Sequence, residues 1–418
     1  MRAPAPPDQS RLLLPLLGWM AAAVFFFYAW ILRVAPSVMV EELMRDFSVG
    51  AAVLGHLSAA YFYGYAGMQI PVGILLDRFG PRRLMTVAAF VCAGGCVLFA
   101  TAETLAAATA GRVLIGASAA FSLVGAMAIA GQWFAPDRFA LLSGLAMAAG
   151  MAGGVFGQAP LRLAVEASDW RTTTMFLACA GAVLGVAIWA TVRDKWRGKG
   201  GLGNVLSGLG IVFRHRQTWL IALTGLATSA PLLGFAGLWG VPFFEAAYGL
   251  PRTSAATLAS TMIAGWGFGA PSFGWLSDRI GQRKAPLLTG LTLQSLAFAA
   301  LLYAPGLPIP AVATLSFLVG FFGASQILCF ALAKETHPPA LSGTAIGFTN
   351  AMVTGTGALF QPLVGLLLDL AWKGQTSLGA RLYEADDYRL ALGSILACCV
   401  IGFASLCAVR ETYCRPQG

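Results

Sequence analysis

The chain has 418 residues, 58% hydrophobic and only 11% charged, against about 25% charged in a typical water-soluble domain, so it has too little polar surface to cover itself in water. Its apolar residues come in blocks of roughly 20, enough to cross a ~30 Å hydrocarbon core as helix, whereas barrel strands would alternate over shorter runs. The net charge of +9 does not indicate a nucleic-acid partner, because the basic residues stand in short segments between apolar blocks, where membrane orientation places them.

Residues 1–9 are proline-rich, and the apolar run that follows to Pro36 is too long for a signal-peptide core. Reading apolar blocks between polar punctuation predicts helical spans at 13–34, 53–76, 84–102, 105–134, 140–165, 172–192, 219–246, 254–276, 285–303, 309–333, 341–370 and 390–409. The longest polar connection, 193–217, is basic and glycine-rich. It reads as a linker between an N-terminal six-helix bundle (1–192) and a C-terminal one (218–418), or in part as an amphipathic helix around Trp196. The expectation is an all-α membrane protein with twelve transmembrane helices. Of the 27 Lys and Arg residues, 18 fall on the side holding both termini and seven on the other, with Arg33 and Arg112 inside spans. That bias predicts that both termini are cytoplasmic. The eight cysteines lie in apolar stretches or near the C-terminus without CxxC spacing, which argues against a metal site or a disulfide framework.

An internal repeat is the most specific signal. Gly73-Ile-Leu-Leu-Asp77-Arg78-Phe-Gly80-Pro-Arg82-Arg83 recurs 201 residues later as Gly274-Trp-Leu-Ser-Asp278-Arg279-Ile-Gly281-Gln-Arg283-Lys284. Fainter echoes follow in order: Gly116-Ala-Ser118 with Gly323-Ala-Ser325, Ser143-Gly144 with Ser342-Gly343, and Trp170-Arg171 with Tyr388-Arg389. A duplicated six-helix unit accounts for them, giving two pseudo-symmetric bundles around a central cavity.

The duplicated G-x-x-x-D-R-x-G-x-[RK]-[RK] turn resembles the signature of the major facilitator superfamily. So do Gly111-Arg112-Val-Leu-Ile-Gly116 and Trp133-Phe134-Ala-Pro136-Asp-Arg138. The resemblance covers nearly the whole chain and implies alternating access, with the halves rocking around one site. It makes Asp77, Arg78, Gly80, Arg82, Arg83, Arg138, Asp278, Arg279, Gly281, Arg283 and Lys284 gating candidates. Independently, a carboxylate beside Arg in a glycine turn can accept from helix N-termini or pair across the cleft between halves. The alternative is that these aspartates only fix the turns.

Charge inside a span needs a reason. Arg33 near the end of the first span is either a snorkelling anchor or a cavity arginine for an anionic group. Its surroundings, Phe27-Tyr28-Ala-Trp30-Ile-Leu-Arg33, are similar to the first helix of the organic-anion and organophosphate branches of that superfamily. The seventh span has no partner arginine, so a monoanion or zwitterion fits better than a phosphate ester. Arg112 is a candidate for coupling or for bonding carbonyls of a neighbouring helix, and His56 a candidate for proton coupling. No Asp or Glu stands in the middle of a span. Tyr61, Tyr65 and Gln69 share one helix face and join Tyr28 and Arg33 as substrate-binding candidates. Trp239, Trp266, Gln294, Gln326, Asn350 and Gln361 are the candidates in the second half. Gly150, Gly153, Gly154 and Gly157, followed by Pro160, read as close helix packing, with a partial likeness to the helix 5 motif of drug exporters.

The function expected is a secondary transporter in the bacterial inner membrane, moving a small anionic or zwitterionic organic solute by a rocker switch. The alternatives are a drug exporter driven by proton antiport, and a sensor that binds solute and signals through 193–217. No nucleophile–His–acid set suggests an enzyme. No metal or organic cofactor is expected. The expected partners are a small-molecule substrate, the lipid bilayer and a proton or counter-anion, with the chain a monomer.

Overall fold

The computed structural model describes residues 13–194, 210–338, 341–377 and 379–415. Within these, the side chains of Ile70, Ile74, Asp77, Pro136, Asp137, Ala140 and Ser377 lie outside the described set. So does most of the expected linker, residues 195–209, including Trp196.

Every expected span is helical. In chain order the elements are α1 (Leu13–Val34), a 3-10 turn (Ala35–Val38), α2 (Val40–Asp46), α3 (Ala51–Phe79), α4 (Pro81–Ala100), α5 (Leu105–Trp133), α6 (Pro136–Phe156), α7 (Ala159–Ala167) and α8 (Trp170–Thr191). The second half gives α9 (Arg216–Ala230), a π-helical stretch (Pro231–Trp239), α10 (Gly240–Tyr248), α11 (Arg252–Ile280), α12 (Lys284–Tyr303) and α13 (Ile309–Gly323). A 3-10 turn (Ala324–Gln326), α14 (Ile327–Thr336), α15 (Ser342–Ala371), β1 (Thr376–Ser377), β2 (Ala380–Arg381) and α16 (Ala385–Ala408) complete it.

Local chemistry sets the boundaries. Asp169 caps α8 through the backbone N–H of Thr172 at 2.8 Å, and Glu384 with Asp387 forms a reciprocal capping box on α16. Gly80 and Gly281, equivalent in the repeat, end α3 and α11 with φ of +82° and +71°. A side chain there would be strained, so the glycine in each motif copy is a backbone requirement.

Among the described residues, nine helical stretches are long and apolar enough to cross a membrane, or ten if the bent pair α6–α7 is one span. The 29-residue α3 and α11 are not among them. In length they reach about 43 Å at 1.5 Å per residue, but polar and small residues interrupt their apolar character, among them Ser58, Tyr61, Tyr65 and Gln69 on α3.

Three expected single spans are interrupted, the tenth by the 3-10 turn Ala324–Gln326. The fifth bends by 41° between α6 and α7, just after its glycine cluster. Those glycines let α6 approach α1: a Cβ on Gly153 would lie 2.1 Å from the carbonyl oxygen of Phe27, and one on Gly157 2.5 Å from the Val34 side chain. The bland reading of the cluster, close packing, is the one these contacts favour. The seventh span passes through the π-helical stretch, which begins at Pro231, a residue with no N–H to give. In the first half α1 packs on α5, α6 and α8, and α4 packs on α5 and α8. In the second half α9 packs on α15 and α16, and α11 and α12 both pack on α13. Contacts between the halves run mainly through α3 with α15 and α6 with α11.

Candidate functional site

Arg33 stands one residue before the end of α1 and is only 5% exposed. Its guanidinium lies 4.2 Å from the ring centre of Trp30, 4.9 Å from Tyr65 and 5.4 Å from Tyr61. The i, i+4 spacing of Tyr61 and Tyr65 on α3 stacks their rings 6.0 Å apart. The hydrogen bond from Arg33 Nε to Tyr61 Oη is long, at 3.4 Å. No carboxylate among the described residues forms an ion pair with Arg33. Three aromatic faces attract a cation, but they do not neutralise it. An arginine anchored in the headgroup region would be exposed, so burial among these rings argues against snorkelling.

Arg112, 2% exposed on α5, is placed differently. Its Nη1 donates to the carbonyl of Leu32 at 2.7 Å and its Nη2 to that of Ser58 at 3.3 Å, tying α1 and α3 to α5. It also lies 5.3 Å from the Tyr61 ring centre, and its Nε finds no partner among the described residues. It too has no carboxylate partner among the described residues.

The other expected binding residues divide. Asn350 Nδ2 donates to Gln69 Oε1 at 2.9 Å, joining α15 to α3 across the halves. Tyr28 faces away from Arg33, donating to the carbonyl of Leu177 at 2.8 Å. Gln361 Nε2 donates to the carbonyl of Leu233, and Trp239 Nε1 to the carbonyl of Gln361, both at 2.9 Å. Gln294 Nε2 donates to the carbonyl of Thr228 at 2.8 Å. These three therefore hold the seventh span, where its backbone departs from α-helical bonding. Gln326 is buried with Nε2 unpartnered among the described residues, and Trp266 is buried on α11 outside the rings that face Arg33. His56 is exposed and meets only Tyr63 Oη, at 3.2 Å, so it does not join the buried charges.

At the repeated turns, the partners of the motif residues lie in their own half. The backbone N–H of Arg82 donates to Asp194 at 2.9 Å, while its Nε donates to the carbonyl of Trp189 at 3.0 Å. In the second copy, Glu411 accepts from the backbone N–H groups of Arg283 (2.9 Å) and Lys284 (2.7 Å). Arg283 also pairs with Asp278 (2.6 Å) and Glu335 (2.8 Å), and Lys284 Nζ donates to the carbonyls of Cys407 and Val409. Pairing across the cleft, one of the two roles expected for these turns, is thus not what the described residues do here. Arg78, Arg83, Arg138 and Arg279 are exposed, and the side chain of Asp77 lies outside the described residues. Burial opposes ionisation of Glu411, but backbone N–H donors from Arg283, Lys284, Tyr413 and Thr412 outweigh it and hold the carboxyl below its ordinary range.

At the opposite ends of the helices, contacts cross between the halves. Asp369, at the end of α15, accepts from the first N–H groups of α3, Ala51 at 3.1 Å and Ala52 at 2.9 Å. It is itself held by Arg381 (2.9 Å) and Tyr383 (2.6 Å). Glu42 bridges Arg162 (2.7 Å) and Arg252 (3.0 Å), with Glu41, Glu166, Glu245 and Thr253 around them. Gln158, at the α6–α7 bend, donates to the carbonyl of Ala236 at 3.0 Å and accepts from Ser37 at 3.1 Å. A cavity of about 640 Å³ lies over this layer, lined in part by Glu41, Glu245, Arg252, Arg381 and Tyr383.

None of the bridging residues at that end was singled out from sequence, because Glu42 and Arg252, or Ala51 and Asp369, are hundreds of positions apart. A signal for the two capping carboxylates did exist. Val192-Arg193-Asp194 and Val409-Arg410-Glu411 close the two halves with the same pattern.

Helices long enough to cross a membrane, a duplicated turn and two buried arginines with no carboxylate partner among the described residues are features of a polytopic membrane carrier. The model of the Major Facilitator Superfamily matches residues 19–362 and 226–411, and the chain belongs to that family. It is a transmembrane transporter and not an enzyme. It is similar to the uncharacterized transporter YybO of Bacillus subtilis, 26% identical over 265 residues, or 56% of this chain and 60% of that protein. It is also similar to the Probable nitrate/nitrite transporter NarK2 of Mycobacterium tuberculosis, 26% identical over 363 residues, 84% of this chain and 87% of that one. In fold it is similar to a bacterial homologue of the human lysosomal transporter Spinster, solved inward-facing and unoccupied. There the TM-score is 0.78 at 16% identity, covering 95% of this chain and 97% of the other.

Proposed function

We propose that the chain moves a small monovalent anion across the bacterial inner membrane, with Arg33 as the residue that holds it. The observation that carries this reading is a guanidinium 5% exposed, set among Trp30, Tyr61 and Tyr65, with no carboxylate to neutralise it among the described residues. A buried, unpaired cation is costly, and an anion with two coplanar oxygens would complete it by paired hydrogen bonds. Nitrate and nitrite, named for one relative, are the first candidates, followed by small monocarboxylates.

In this reading twelve helices cross the membrane as two six-helix halves, 1–192 and 218–418, joined by 193–217, with both termini cytoplasmic. The halves rock about the Arg33 site. Asp369, Glu42 and Gln158 fasten the outer side, so the described state is closed outward. Releasing one anion leaves Arg33 unpaired until another arrives, which favours exchange of anions over uncoupled passage.

The test is uptake of labelled nitrate, nitrite and acetate into proteoliposomes, with and without trapped counter-anion. Wild type is expected to exchange at least one of them, and Arg33→Gln to lose roughly tenfold or more of that rate, the equivalent of about 1.4 kcal/mol. Arg33→Lys should recover only part of it, because an ammonium lacks the paired planar donors. Equal rates in wild type and Arg33→Gln for every transported anion would defeat the proposal.

A further inference from the structure

A second basic site lies far along the chain from Arg33, where α16 ends and α9 begins. Arg214, His215, Arg216, Gln217, Ala408 and Arg410 line a pocket of about 340 Å³. Among the described residues no carboxylate lines it, and neither Arg214, Arg216 nor Arg410 has an ion-pair partner. Gln217 builds the floor: its Nε2 donates to the carbonyl of Ala408 and its Oε1 accepts from the backbone N–H of Arg410 at 3.0 Å. The three guanidiniums therefore stand on a fixed scaffold that joins two helices.

Beside this pocket the surface turns apolar. Ile211, Phe213 and Trp219 are 57%, 44% and 39% exposed. Trp219 Nε1 donates to the carbonyl of Phe213 at 2.8 Å, and its ring packs on Phe213 and Phe348, so the aromatic group is rigid. Exposed aromatic and aliphatic faces next to unpaired arginines are the arrangement suited to a membrane interface, with charge at headgroup level and rings against acyl chains.

We infer that this pocket binds the headgroup of an anionic phospholipid, its phosphodiester on Arg214, Arg216 and Arg410 and its acyl chains along Ile211, Phe213 and Trp219. A zwitterionic lipid brings its own cation into a pocket already positive, so discrimination should favour net negative headgroups. A free phosphate ion would share the guanidinium contacts but gain nothing from the apolar flank. The inference stands on membrane residence alone and is independent of what Arg33 holds.

Native mass spectrometry of the delipidated full-length protein with phosphatidylglycerol, phosphatidylcholine or inorganic phosphate tests it. Wild type should retain phosphatidylglycerol roughly tenfold more strongly than phosphatidylcholine, and Arg214→Gln/Arg216→Gln/Arg410→Gln should lose that preference. A Lys triple at the same positions should keep most of it, which separates charge from folding. A control triple removing equal charge from exposed residues elsewhere, Arg193→Gln/Lys334→Gln/Arg415→Gln, should behave like wild type. Equal loss in the control, an unchanged preference in the pocket variant, or displacement of the lipid by millimolar phosphate would each overturn the inference.

Discussion

Arg33 and Arg112 both touch Tyr61, yet their hydrogen bonds give them different work. Arg112 spends its two terminal nitrogens on the carbonyls of Leu32 and Ser58, so it is a strut between three helices. Arg33 spends only Nε, on a long bond, and keeps a cation in an aromatic recess. The difference is measurable without any substrate. Arg112→Met leaves two carbonyls without their charged donor and should destabilise the purified protein by about 2–4 kcal/mol, since hydrogen bonds to charged groups contribute about 1.5–3 kcal/mol each. Arg33→Gln removes an uncompensated charge and should leave the thermal midpoint unchanged or raise it. A midpoint that drops for Arg33→Gln as far as for Arg112→Met would mean that Arg33 is structural too.

At the scale of elements, the two copies of the turn motif both turn on a glycine of positive φ but differ in its surroundings. Gly281 is left-handed (φ +71°, ψ +25°), where alanine is strained by about 1–2 kcal/mol, and Gly80 (φ +82°, ψ +153°) lies in a region essentially reserved for glycine, at about 1–3 kcal/mol. A Cβ at Gly80, however, would also come within 2.5 Å of the Asp194 carboxylate, whereas nothing lies within 4 Å of one at Gly281. Gly80→Ala should therefore lower the thermal midpoint further than Gly281→Ala, and Asp194→Ala in the same chain should reduce the gap. The carboxylate in the second copy sets a pH dependence. Glu411 has a folded pKa below its ordinary value of about 4.3, so its contribution is complete above that value and is lost as pH falls through the lower folded one. Glu411→Gln should flatten that acid limb of the stability curve, as read by thermal unfolding between pH 3 and 6. These turns were legible in the sequence because a local glycine and a repeat specify them. The interruptions of the fifth and seventh spans were not, because Gln158 at the first bonds Ser37 and Ala236 of other elements, and Gln361 holds the second from α15. Periodicity along one segment says nothing about a carbonyl satisfied from another. For the same reason Gln294 and Gln361 read as cavity residues in sequence, when their amides in fact hold the seventh span.

For the molecule as a whole, the asymmetry between its two ends is the feature with most mechanistic content. At one end the motif turns bond within their own halves. At the other, a carboxylate from one half sits on the helix N-terminus of the opposite half, where the α3 dipole favours negative charge. The Gln158 bridge and the Glu42 bridge lie in the same layer. A carrier that opens outward must break all three together, so weakening them should shift the resting population without touching Arg33. Replacing Asp369 by Asn removes the charge from a site made for an anion, and Arg252→Gln cuts the link to Glu42. Each should cost the closed state about 1–3 kcal/mol, or roughly five- to 150-fold in the balance of states. Ser37, bonded to Gln158 within this layer, is 1% exposed. In a cysteine-free background, Ser37→Cys should react slowly with a membrane-impermeant maleimide and at least several times faster once Asp369→Asn and Arg252→Gln are added. If labelling stays slow in the combined variant while the protein remains folded, these contacts do not fasten the gate, and the closure must rest on the packing of α6 against α11 instead.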